Sequence, residues 1–216
     1  MSTPHAAPIR YAVSFAPNPG SLGWLAGSHW LGRCAALLQP RQQLAIEGVA
    51  ADALHRLPAV PRRRGWQAPL KTPFALAPGV DWIALQQALQ TLAHSLEPCA
   101  LPPLQVERVG DILALVVPAS HAANGALETA AAACRAQLQA LSDAQGCLAM
   151  AEAFRFHLPI TGPLQQVDAP TQALVFDAAQ EYFSDLPALN FNSLALFAEP
   201  APGADFALLD HVEMAR

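Results

Sequence analysis

Residues 66–74 read Trp-Gln-Ala-Pro-Leu-Lys-Thr-Pro-Phe, and residues 156–164, ninety positions later, read Phe-His-Leu-Pro-Ile-Thr-Gly-Pro-Leu. In both stretches an aromatic comes first, an amide or imidazole second, proline fourth, a cation or hydroxyl sixth and proline eighth. Alternation with a period of two means an extended strand with one apolar and one polar face. The spacing puts Gln67, Pro69 and Lys71 on one face, and His157, Pro159 and Thr161 on the matching face of the second copy. Arg155 shares the His157 phase and is a further candidate anion contact. Two such strands, central and adjacent, would bring both polar sets into one cleft.

The flanking elements repeat in the same order. Asp81 is placed to cap a helix whose apolar stripe is Trp82, Leu85, Leu89, Leu92 and Leu96, and Asp168 with Pro170 opens a helix carrying Leu174, Ala178 and Tyr182. From Gln67 to Asp81 is fourteen residues and from His157 to Pro170 thirteen. Strands are expected over 9–16, over 106–109 and 112–117 as a hairpin about Gly110-Asp111, and over 193–198 and 206–214. An alanine-rich helix should span roughly 124–141, and residues 31–61 show no clear pattern. The expected architecture is a duplicated, bilobal α+β fold: two mostly antiparallel sheets around a cleft, helices outside. An N-terminal lobe over 9–110 and a C-terminal lobe over 111–216 would form one compact unit. The repeat is too long for a solenoid, whose units run about 20 to 50 residues.

Of the 216 residues 53% are hydrophobic and 13% charged, enough apolar content for a sizeable core. A net charge of −5 argues against a surface that grips nucleic acid through a broad positive field, leaving RNA only the run Arg62-Arg63-Arg64, expected to be a solvated loop. Lys71 is the chain's only lysine. Cys34, Cys99, Cys134 and Cys147 lack metal-ligand spacing and read as small buried hydrophobes of a reducing compartment. Neither a leader-like apolar core nor about eighteen uninterrupted apolar residues occurs, so the expectation is a cytoplasmic protein without a membrane span. His29, His94, His121 and His211 have no partner motif, and the sequence leaves the oligomeric state open.

The two copies, together with Tyr11-Ala12-Val13-Ser14-Phe15-Ala16-Pro17 and Leu194-Ala195-Leu196-Phe197-Ala198-Glu199-Pro200, resemble the 2H phosphoesterase superfamily, in particular the branch found with phosphonate-utilisation genes. The resemblance runs from about residue 9 to 212. It implies one His-x-Thr/Ser motif per lobe and phosphodiester chemistry with no metal or other cofactor. One histidine would take a proton from the attacking oxygen, the other would give one to the leaving oxygen, and the hydroxyls would hold the phosphate.

This chain departs from that pattern at three of four positions, with Gln67 for the first histidine and Pro69 and Pro159 for the hydroxyls. An amide does not transfer protons near neutral pH, and proline has neither hydroxyl nor N–H. The stretch from Ser142 to Met150 is also shorter than in the relatives. Three functions follow as expectations. The first is a pseudoenzyme binding a phosphorylated or nucleotide-like small molecule, with Gln67 and His157 at the old catalytic positions and Lys71, Arg155, Thr161 and Tyr11 as ligand contacts. The second is a re-tooled phosphodiesterase using His157, and the third a structural or interaction subunit whose cleft is filled.

Overall fold

The computed structural model describes residues 8–144 and 154–215. Cys147 and most of the short stretch after Ser142 lie outside them. The described residues hold eleven strands: β1 (Arg10–Phe15), β2 (Arg33–Cys34), β3 (Gln39–Pro40), β4 (Ala68–Ala75), β5 (Cys99–Ala100), β6 (Gln105–Val109), β7 (Ile112–Val116), β8 (Leu158–Pro159), β9 (Asn190–Phe191), β10 (Ser193–Glu199) and β11 (Ala207–Glu213). Among the described residues six helices accompany them: α1 (Leu22–Leu31), α2 (Ala51–Arg56), α3 (Ala59–Arg64), α4 (Trp82–Ser95), α5 (Ala123–Leu138) and α6 (Ala169–Ser184). The fold is α+β with antiparallel sheets, as the sequence predicts.

The larger sheet has the order β11-β10-β1-β4 and the smaller β6-β7-β8, while β2 pairs with β3 and β5 with β9. The sheets do not follow the division at residue 110: the larger one interleaves strands from both halves, and the β6–β7 hairpin straddles the boundary. Hairpin pairing across Gly110, at φ 62°, outweighs any separation into contiguous halves. The motif strands are also not central. β4 and β8 are edge strands of different sheets, which suits two segments rich in proline, a residue with no N–H for a ladder.

The helix starts obey local chemistry. Asp81 accepts from the Ala84 N–H at 2.9 Å and Asp168 from the Thr171 N–H at 2.9 Å, satisfying amides that have no partner within the helix. The patternless stretch 31–61 holds the β2–β3 ribbon, α2 and the start of α3.

The main core lies under the β1 face carrying Tyr11, Val13 and Phe15, and takes in the stripes of α4 and α5. A smaller cluster of Ala12, Trp24, Cys34, Ala195, Phe197 and Phe206 fills the opposite face. Trp66, just before β4, is wedged between α1 and α6: its ring stacks on Phe183 at 5.7 Å and 5°, and a Cβ on Gly27 would lie 2.0 Å from it. Gly27→Ala should therefore cost about 1–3 kcal/mol through overpacking. Gly125→Ala, on α5 with nothing within 4 Å of the new methyl, should gain roughly 0.5–1 kcal/mol from reduced chain entropy. Urea denaturation of the two variants measures the difference.

Cys34, Cys99 and Cys134 are all free thiols, and burial pushes Cys134 up to about 12. A thiol raised in this way stays protonated until the pH approaches that value, so at pH 8 only about one molecule in ten thousand carries the thiolate. Cys134 should escape iodoacetamide at pH 8 in the native protein and react in guanidinium, as followed by peptide mass spectrometry.

Candidate functional site

A cavity of about 200 Å³ lies where β4 and β8 approach. Gln67, Pro69, Thr72 and Pro73 line it from the first motif, His157 and Pro159 from the second. Ala12 of β1, Phe206, and Pro61, Arg64 and Gly65 at the end of α3 complete the lining. The two positions that the sequence pairs as acid and base, Gln67 and His157, thus open into the same space.

Gln67 is buried and held at both ends of its amide. Its Oε1 accepts from the Ser14 hydroxyl, and its Nε2 donates to the Arg64 carbonyl at 2.5 Å. His157 Nδ1 lies 2.7 Å from the Arg155 carbonyl. A carbonyl can only accept, so Nδ1 carries the proton and Nε2 is the nitrogen able to exchange one.

Four other predicted contacts lie elsewhere, each for a physical reason. Lys71 is not in phase with Gln67 and Pro69, because the β1–β4 register slips between Val13 and Ser14 and again between Tyr11 and Val13. Ser14 opposes Pro69 on the cavity face, but Val13 opposes Lys71 on the core face. Lys71 is consequently buried, with Nζ 4.7 Å from the centre of the Phe74 ring, and Thr72 takes the cavity position. Tyr11 shares the core face, packed on Phe74 and Trp82 at 6.4 and 5.7 Å, and burial raises its phenol above the ordinary range. Arg155 keeps the phase of His157, but its guanidinium reaches Glu107 of β6 at 2.6 Å. Thr161 is buried outside the cavity, its hydroxyl accepting from the Leu113 N–H at 2.8 Å, because the chain leaves β8 after Pro159 and turns back onto β7.

The arginine run is not a solvated loop; it forms the last turn of α3, with a separate task for each residue. Arg62 donates to the carbonyls of Leu31 and His55, both at 2.6 Å, tying α3 to α1 and α2. Arg63 meets the fully buried Glu199 at 3.4 Å, and Arg10 grips the same carboxylate from β1. Arg64 lines the cavity, and its guanidinium makes no hydrogen bond or ion pair within the described residues. Its side chain is exposed by area, yet the surrounding wall removes enough water to hold its guanidinium below the ordinary value. Arg63 and Arg10 add to that depression and Glu199 opposes it. Sequence reasoning missed Arg64 and Thr72; the three-residue arginine run was the signal for the first, and nothing in the alternation marked the second. Among the described residues no His, Cys, Asp or Glu cluster could hold a metal, and no helix is long and apolar enough to cross a membrane.

Two curated relatives, both named ribose 1,5-bisphosphate phosphokinase PhnN, match nearly the whole chain. The protein of Laribacter hongkongensis is 36% identical over 93% of this chain and 50% of its own length, and that of a Janthinobacterium species 30% identical over 91% and 49%. The chain spans about half the length of these relatives. Among solved structures, LigT of E. coli complexed with 3'-AMP covers 97% of this chain and 99% of its own at 14% identity and TM-score 0.45. LigT complexed with phosphate covers 98% and 100% at 13% identity and TM-score 0.47. The family model described as "Protein of unknown function (DUF1045)" matches residues 69–147 and 146–207, a span holding most of β4, all of β8 and both flanking helices. By that match the chain belongs to the DUF1045 family.

Proposed function

We propose that this protein is a 2H phosphoesterase-like pseudoenzyme that binds a phosphorylated or nucleotide-like small molecule in the cavity between its motif strands. The observation that carries the reading is the meeting of Gln67 and His157 in one cavity, with a transferable proton on the histidine only. A general acid or base contributes typically about 100 to 10,000-fold, so with one member an amide locked by Ser14 and the Arg64 carbonyl, binding remains more natural than turnover. The duplication that underlies this reading is supported by β5 and β9, which follow the helix of each copy and pair with each other, Cys99 opposite Phe191. The names of the curated relatives put phosphorylated sugars among the ligands to assay.

A second reading, a re-tooled phosphodiesterase, draws support from His157 itself. Its Nδ1 is fixed by a carbonyl, the arrangement that orients a catalytic imidazole and leaves Nε2 to work alone. The reading as a filled, structural subunit is disfavoured by the open cavity.

The wild-type chain is expected to hydrolyse 2',3'-cyclic nucleotides at background rate. The triple change Gln67→His, Pro69→Thr, Pro159→Thr is expected to raise the rate in a manner that His157→Ala then abolishes. Thermal shift with inorganic phosphate, cyclic nucleotides and ribose phosphates reads binding separately: saturation at 100 times Kd adds about 2.7 kcal/mol to stability. Robust wild-type turnover that survives His157→Ala would overturn the broken-pair reading, and the absence of any shift for every phosphate ligand would overturn the binding reading.

A further inference from the structure

The lost hydroxyls of Pro69 and Pro159 leave a cavity lined by both apolar rings and polar side chains. The part of its lining contributed by Pro61, Pro69, Pro73, Pro159 and Phe206 offers ring faces and no side-chain donor or acceptor. A sugar hydroxyl pressed against it would lose its water without a replacement, at about 1–3 kcal/mol per group, whereas a flat apolar ring would gain roughly 25 cal/mol for each Å² buried. Arg64, Gln67, Thr72 and His157 supply the polar part of the lining. Neither the Arg64 guanidinium nor the Thr72 hydroxyl makes a hydrogen bond within the described residues, so each can turn to a ligand without breaking an existing contact. Arg10, Arg63 and Arg64 surround the single carboxylate of Glu199, a local excess of positive charge in a chain whose net charge is −5.

We infer that Arg64 and Thr72 are the anion-binding residues of this cavity, in place of the two missing hydroxyls, and that the proline–phenylalanine wall selects a phosphomonoester of an apolar ring over a sugar phosphate. The inference rests on the phosphate-binding reading above and adds to it the residues and the ligand class. A guanidinium–phosphate contact can be bidentate and charge-assisted, which makes Arg64 the larger contributor, and the Thr72 hydroxyl adds one neutral donor.

Calorimetric titration of the full chain with phenyl phosphate, ribose 5-phosphate and inorganic phosphate tests this. Phenyl phosphate should bind about tenfold more tightly than ribose 5-phosphate. Arg64→Ala should raise Kd for all three about tenfold or more, with partial recovery in Arg64→Lys. Thr72→Val should weaken binding about fivefold while Thr72→Ser retains it. Circular-dichroism melts check that each variant is folded. Phosphate esters whose affinity falls in His157→Ala but not in Arg64→Ala would overturn the assignment of Arg64 and leave the broader phosphate-binding reading standing. Equal or tighter binding of ribose 5-phosphate would overturn the ring selectivity in the same way. Failure of all three ligands to bind would overturn both readings together.

Discussion

Strand β1 sits between β10 and β4, and its register with each decides what the rest of the molecule can do. Against β10 the pairing is regular from Arg10 opposite Glu199 to Ser14 opposite Ala195. Against β4 it slips twice. Those slips let one short strand serve two masters: Tyr11, Val13 and Phe15 fill the core while Ala12 and Ser14 face the cavity, and β4 matches each face in turn with Phe74 and Lys71 inward and Pro69 and Thr72 outward. The Ser14–Gln67 contact is the outward product of this register, and the burial of Lys71 is the inward one.

Much of the architecture is legible in the residues because it is local. Asp81 and Asp168 announce helices by capping chemistry, and the Val106–Val117 region announces a hairpin by its Gly-Asp step, all without reference to distant chain. What escapes is whatever depends on a partner far away in sequence. Counting by twos assumes one residue per rung, so a bulge that turns Lys71 inward is invisible until β1 is laid beside β4. Arg155 finds Glu107 and Thr161 finds the Leu113 amide, contacts 48 residues apart that no motif encodes. Helix α3 was hidden for a different reason: it is six residues long, and its N-cap, Pro58, supplies no side-chain hydrogen bond.

The two motif prolines take on a structural meaning beside the missing chemistry. β4 and β8 are both sheet edges that line one cavity, and an exposed edge invites pairing with any strand that approaches. Proline at matched places in both edges withholds the donors that would let the two sheets join across the gap. The gap between the two edges is thereby left without backbone pairing across it.

The inward turn of Lys71 has a further consequence for the chemistry of the exterior. As it is the chain's only lysine and is 2% exposed, the folded surface presents guanidinium groups and no side-chain ammonium. Acylating reagents and acetyl- or ubiquitin-transferring enzymes that require an accessible lysine would find none until the sheet opens. Acylation at this one position would therefore report how often the larger sheet separates from the helices packed beneath it.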